Sequence, residues 1–224
     1  MCGRYSLTKP LDDLASFFEL YDQSQRPNLA PRWNIAPTQA SAVVRAGTEG
    51  RRELALLRWG FAGPNNAPLI NARSETATAK PTFREAFAAR RCLVPADSFY
   101  EWQTVEGQKA KQPWRIGLKG GGLFAFAGLW QVESAFDGAA CFTILTTAAN
   151  DYLAPLHERM PVILSRETFA RWLDPATRAD ALHALMRPYP DAPMARYRVT
   201  AAVNSVKTDD AACFAPLNPA LKVA

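Results

Sequence analysis

Apolar positions recur at helical spacing in only four stretches of the chain; elsewhere they gather in short runs broken by Pro and Gly. The first helical stretch places Leu11, Leu14, Ala15 and Phe18 on one face. Thr8 is its expected N-cap, Pro10 suits the first turn, and Asp12 with Asp13 suits the positive end of the helix dipole. The spacing predicts a second helix over 82–91, with Phe83, Ala86, Phe87 and Arg90 in register. A third covers 165–173, capped by Ser165 and burying Phe169, Trp172 and Leu173, and a fourth covers 180–186.

The remaining apolar runs read as strands over 41–46, 54–61, 92–95, 99–102, 114–118, 123–130, 142–147, 162–164 and 196–200. Many strands and few helices, without a βαβ rhythm, predict an α+β fold around a curved, barrel-like, mostly antiparallel sheet with a few flanking helices. Repeats, low-complexity tracts and a convincing linker are missing from the pattern. One domain over 1–224 is expected.

Composition narrows the class. The chain is 48% hydrophobic and 21% charged, close to globular averages, which excludes a disordered or fibrous protein. About 70% of the unfolded surface can be buried at this length, so no disulfide or metal staple is required. A formal charge of +5 permits a polyanionic partner without demanding one. Cys2, Cys92, Cys141 and Cys213 form no CxxC, and His157 and His183 are the only histidines, so no zinc-ligand spacing exists. No cofactor is expected either. Charged residues interrupt the N-terminus, and the apolar run 120–130 is too short to cross a bilayer. These features predict a soluble, cytoplasmic protein with free thiols and no membrane partner.

Cys2 follows the initiator Met. Removing Met1 leaves an α-amine and a thiol on adjacent carbons, and the α-amine has a reference pKa of about 8. Such an amine forms Schiff bases with aldehydes, and the thiol can then close a thiazolidine ring. The same residue can also act as an acyl-transfer nucleophile, with the amine as its base. Gly3 allows close backbone approach and Arg4 supplies a fixed cation. Asn34, Asn71, Glu101 and His157 are polar residues in apolar or Pro-rich settings. Glu101, between Tyr100 and Trp102, is placed to have a raised pKa and to work as a general acid/base. Singly, each has a bland explanation: loop bracing for the asparagines, an ion pair for Glu101, a surface position for His157. Together with Cys2 they favour a site.

Seven blocks carry a resemblance to a known family. They are Met1-Cys2-Gly3-Arg4-Tyr5, Trp33-Asn34-Ile35-Ala36-Pro37-Thr38, Leu69-Ile70-Asn71-Ala72-Arg73-Ser74-Glu75-Thr76, Arg91-Cys92-Leu93-Val94-Pro95-Ala96, Phe99-Tyr100-Glu101-Trp102, His157-Glu158-Arg159-Met160-Pro161-Val162-Ile163-Leu164 and Val203-Asn204-Ser205-Val206-Lys207. In this order they resemble the SOS-response-associated peptidases, better described as abasic-site shielding proteins. The resemblance implies recognition of abasic sites in single-stranded DNA and a covalent thiazolidine crosslink through Cys2. It implies a lyase-like activity with self-removal of Met1, in a monomer that is nucleoid-associated while on DNA. By similarity Asn71 positions the N-terminal residue, Glu101 shuttles protons, and His157 assists sugar opening and reversal. Arg73 is similar to the arginine that holds the phosphate beside the lesion, and Arg4, Asn34, Arg84, Arg159 and Thr146 are expected DNA contacts. One departure is the loop 63–68, which is short and lacks the aromatic wedge that relatives often carry. Two alternatives remain open: an N-terminal-nucleophile amidohydrolase of the glutaminase kind, and a non-covalent single-strand binder using Trp and Arg.

Overall fold

The computed structural model describes residues 2–21, 27, 29–47, 50–136 and 138–218. Its elements, in chain order, are β1 (Tyr5–Leu7), α1 (Leu11–Phe18), β2 (Arg32–Ile35), β3 (Ala40–Ala46), β4 (Arg52–Trp59), β5 (Asn71–Arg73), α2 (Pro81–Ala89), β6 (Arg91–Ala96) and β7 (Ser98–Gln103). There follow β8 (Gln112–Leu118), β9 (Phe124–Glu133), β10 (Ala139–Ala148), β11 (Arg159–Pro161), β12 (Ile163–Leu164), α3 (Phe169–Leu173), α4 (Ala179–Leu185) and β13 (Met194–Arg198).

The larger sheet closes on itself. β4 pairs with β3, β3 with β6, β6 with β9, β9 with β10, and β10 returns to β4; only this last junction is parallel. Closure removes exposed edges, and the expected curved, mostly antiparallel sheet is what forms. Gly128 lies where β9 is flanked by β6 and β10. A Cβ there would come within 2.8 Å of Cys92 Sγ and 2.9 Å of Val94 Cγ2, so only glycine fits. The second sheet has strand order β13-β8-β7-β1-β2. Tyr5 of β1 joins the two, its ring 5.1 Å from Trp59 and 5.8 Å from Phe126. The opposite face of this sheet is covered by the C-terminal segment, where Tyr100, Val199, Val203 and Cys213 pack together. No helix among the described residues is long and apolar enough to cross a membrane. All four cysteines are free and buried.

Several boundaries differ from expectation. Thr8 does not cap α1: Pro10 holds the N-cap position, and the Thr8 amide and hydroxyl both donate to Asp97 Oδ2 at 2.6 Å. α2 stops at Ala89 because Arg91 enters β6. Its buried guanidinium donates to Phe87 O, Ala88 O, Trp172 O and Asp174 O, tying together the C-terminal ends of α2 and α3. Ser165 makes no side-chain cap, and residues 166–168 form a 3₁₀ turn before α3. The strands β1, β2, β5 and β11 have three or four residues each, too short for a period to register.

Candidate active site

The β1–β7 ladder places the N-terminal residues along Glu101. Tyr5 stands opposite Phe99, and the Tyr100 amide donates to Arg4 O at 3.0 Å. The preceding residues therefore run past Glu101. Cys2 is fully buried, with Sγ 3.8 Å from Arg4 O. Side chains alternate along β7. Tyr100 turns to the C-terminal face, where its hydroxyl donates to Trp33 O at 2.7 Å, and Glu101 occupies the opposite face at 5% exposure.

Electrostatics link the proposed reacting groups. Burial raises the Glu101 carboxyl above its ordinary value, with the charge of Lys111 acting the other way. Burial also pushes the Cys2 thiol up, and the Glu101 charge adds to that push. His157 is held below its ordinary value by burial first, and the Lys111 charge acts in the same direction. The Glu101 charge thus acts on Cys2, and Lys111 acts on both Glu101 and His157, so the three candidate groups lie within electrostatic reach of one another.

The parallel pairing of β5 with β10 brings the next group in, with Asn71 opposite Ile144 and Arg73 opposite Thr146. Asn71 Nδ2 reaches Ile144 O at 3.5 Å, but its buried Oδ1 has no partner among the described residues. An orphaned acceptor costs roughly 1–3 kcal/mol, which a donor on a bound group would recover. Arg73 is exposed. Thr146 is fully buried and approaches Arg159 Nη2 at 3.4 Å. The Arg159 amide donates to His157 Nδ1 at 2.9 Å, so a neutral imidazole carries its proton on Nε2.

Two expected DNA contacts, the buried Asn34 and the half-buried Arg4, are hydrogen-bonded within the fold. Asn34 is fully buried, and its Nδ2 donates to Val203 O, Ser205 O and Thr208 O at 3.2, 2.9 and 2.8 Å. Arg4 Nη1 donates to Asn34 Oδ1 and Val203 O, both at 2.9 Å. Their observed work is to brace the segment before β1 against the C-terminal segment, and a phosphate would have to displace those bonds. Arg84 is exposed on α2 and joins none of the other site residues by a hydrogen bond or ion pair among the described residues. The sequence reading missed Glu75, Lys111 and Asp209. Asp209 Oδ1 accepts from the Trp33 and Asn34 amides at 2.6 and 2.9 Å. Glu75 lies two residues beyond Arg73, where the resemblance implies a phosphate contact and no carboxylate.

A family description, SOS response associated peptidase (SRAP), matches residues 1–206. The chain belongs to the SRAP family. The matched span of this SRAP chain includes all ten expected site residues and all thirteen strands. Abasic site processing protein YoaM of Bacillus subtilis (strain 168) is 40% identical over 221 residues, covering 94% of this chain and 96% of its own. Abasic site processing protein YedK of Escherichia coli (strain K12) is 32% identical over 180 residues, covering 77% and 79%. A crystal structure of a protein from Bacteroides thetaiotaomicron shares the fold with a TM-score of 0.82 at 20% identity, covering 96% of this SRAP chain and all of its own.

Proposed function

We propose that this SRAP protein senses abasic sites in single-stranded DNA and shields them through a thiazolidine crosslink at Cys2. The observation that carries the reading is the fully buried Cys2, which the β1–β7 ladder sets beside the buried Glu101, whose charge acts on its thiol. The relatives named above are abasic site processing proteins, which supports the same substrate.

Hydrolysis of the Met1–Cys2 peptide bond consumes one water and frees the Cys2 amine. This self-removal answers to the peptidase in the family description. Glu101, with its raised proton affinity, takes a proton from the ammonium. The neutral amine adds to the aldehyde of the ring-opened deoxyribose, and Glu101 returns the proton as hydroxide leaves as water. The thiol, kept protonated by burial, adds its sulfur to the imine carbon. Its proton passes to the ring nitrogen, with Glu101 as carrier. One water is lost between protein and DNA. His157 Nε2 serves the proton transfers of sugar opening, Asn71 Oδ1 accepts from the reacting amine, and Arg73 faces the adjoining phosphate.

The test is a denaturing gel with abasic single-stranded DNA, together with intact mass. The reading expects a heat-stable band whose mass is the Met1-free chain plus the oligonucleotide minus one water. A chain that retains Met1 and gives no shifted band overturns it. Glutamine hydrolysis without a shift supports the amidohydrolase instead.

A further inference from the structure

Glu101 stands directly opposite Trp114 of β8, and Trp114 stands opposite Arg198 of β13. Directly paired residues share a sheet face, so the three side chains form one row. Strands lie about 4.8 Å apart, which puts Arg198 about 10 Å from Glu101. The row ends in a cavity of about 410 Å³ lined by Trp114, Arg196, Arg198, Pro216 and Leu217 among others. The Arg196 and Arg198 guanidinium carbons lie 5.3 and 5.2 Å from the centroid of the Trp114 ring. Trp114 Nε1 donates to Gln103 Oε1 at 3.0 Å, which fixes the ring across β7 and β8. Arg196 donates to Tyr152 O, and Arg198 is exposed. Neither arginine is paired with a carboxylate among the described residues.

We propose that this groove is a second DNA subsite, which holds the single strand flanking the lesion by phosphate contacts to Arg196 and Arg198, both ordered over the Trp114 ring. Both guanidinium groups lie over the Trp114 ring, which orders them, and two cations without counter-charges offer the phosphates of a strand an electrostatic seat. The groove is continuous with the proposed reacting carboxylate along one row of paired residues, so a strand leaving the site meets it next. The inference rests on the abasic-DNA reading for its ligand, but it does not use the covalent step.

The measurement is fluorescence anisotropy of the full chain with a labelled, undamaged oligothymidylate, with a polyglutamate of matched charge as competitor. Arg198→Glu changes an exposed side chain and leaves the fold intact. It is expected to weaken binding several-fold and to reduce the log–log salt slope by about 0.7. Trp114→Ala removes the ring that orders both guanidinium groups and is expected to weaken binding several-fold, and Trp114→Phe to restore most of it. Wild-type affinity in both Arg198→Glu and Trp114→Ala overturns the groove, as does displacement by polyglutamate as effective as by oligothymidylate. Groove-dependent binding in a protein that never crosslinks supports the subsite and overturns only the covalent reading.

Discussion

The Arg159 guanidinium and the Glu75 carboxylate meet fork to fork, Nη1 to Oε1 at 2.7 Å and Nη2 to Oε2 at 2.9 Å. The two carboxylate oxygens occupy the positions that two phosphate oxygens would take on a DNA-holding arginine. Nη2 also donates to Thr146 O at 2.7 Å, so Arg159 is held in place while Glu75, half exposed, is free to swing away. Binding a phosphate at Arg159 therefore means exchanging Glu75 for it. Glu75→Gln is expected to tighten single-stranded DNA binding several-fold at low salt, with the gain fading as salt screens the charges. Weaker binding by Glu75→Gln would show that the pair orders the site instead of guarding it.

The same pair sets a pH dependence. The Arg159 hydrogen bond is the largest cause that holds the Glu75 carboxyl below its ordinary value of 4.5. Its folded pKa is depressed, so the pair's contribution to stability is complete above the unfolded pKa and is lost as pH falls through the folded one. DNA affinity at Arg159 is expected to follow the opposite course, since protonating Glu75 releases the guanidinium. Affinity measured at fixed salt from pH 6 down to about 4 checks this, and Glu75→Gln is expected to flatten that limb.

Glu101→Gln is expected to slow ring closure by about 10²–10⁴-fold while sparing affinity for undamaged single strands. The raised carboxyl also has a stability consequence. Between the unfolded and folded pKa values the native state binds more protons, so stability falls as pH rises through that window. The amide carries no charge to desolvate. Glu101→Gln is thus expected to melt higher than wild type at pH 7, with the gap closing toward pH 4.5. Equal melting temperatures at pH 7 would mean that neighbouring positive charge such as Lys111 fully compensates the buried carboxylate.

Cys2→Ser keeps the amine and removes the thiol. It is expected to form a Schiff base that borohydride traps on abasic DNA, and to give little heat-stable adduct without the reductant. A heat-stable untreated adduct at wild-type yield refutes the thiazolidine. His157→Ala is expected to slow both sugar opening and release to excess competitor abasic DNA. Burial is the largest cause that holds that imidazole below its ordinary value, and its Nδ1 already accepts the Arg159 amide. Crosslink time courses followed by competitor chase decide it, and wild-type rates in both directions remove His157 from the mechanism.

The reacting group was legible because its chemistry is local. A cysteine beside the initiator Met and a carboxylate between Tyr100 and Trp102 need no knowledge of topology to be noticed. The long strands were legible for the same reason, since β9 and β10 each carry ten residues of nearly continuous buried pattern. What stayed hidden depends on pairing across the chain. β5 is three residues long and exists because Asn71, Ala72 and Arg73 find Ile144, Leu145 and Thr146. The Trp114–Arg198 row needs a register linking residues 84 positions apart, which no window of sequence contains. The partner of Arg159 was in plain sight two residues beyond Arg73. The expectation of a phosphate there left no reason to look for a carboxylate.

Asn34 separates a brace from a DNA contact. Its orientation is fixed on both sides: Arg4 can only donate, so it faces Oδ1, and three carbonyls can only accept, so they face Nδ2. Alanine there removes all four bonds at a fully buried position. Val203 O keeps its bond from Arg4, Ser205 O keeps the Thr208 amide and Thr208 O keeps the Cys213 thiol, so no carbonyl is left without a donor. Four lost hydrogen bonds at roughly 0.5–1.5 kcal/mol each put the expected cost of Asn34→Ala at about 3 kcal/mol. For a chain of this size that lowers the melting temperature by roughly 6–12 °C. Because Arg4 begins the segment that carries Cys2, the folded variant is also expected to crosslink more slowly at saturating DNA. Affinity for undamaged single strands, measured well below the melting temperature, is expected to stay within about two-fold of wild type. The opposite pattern, unchanged melting with weakened binding and a shallower salt slope, would return Asn34 to the DNA interface.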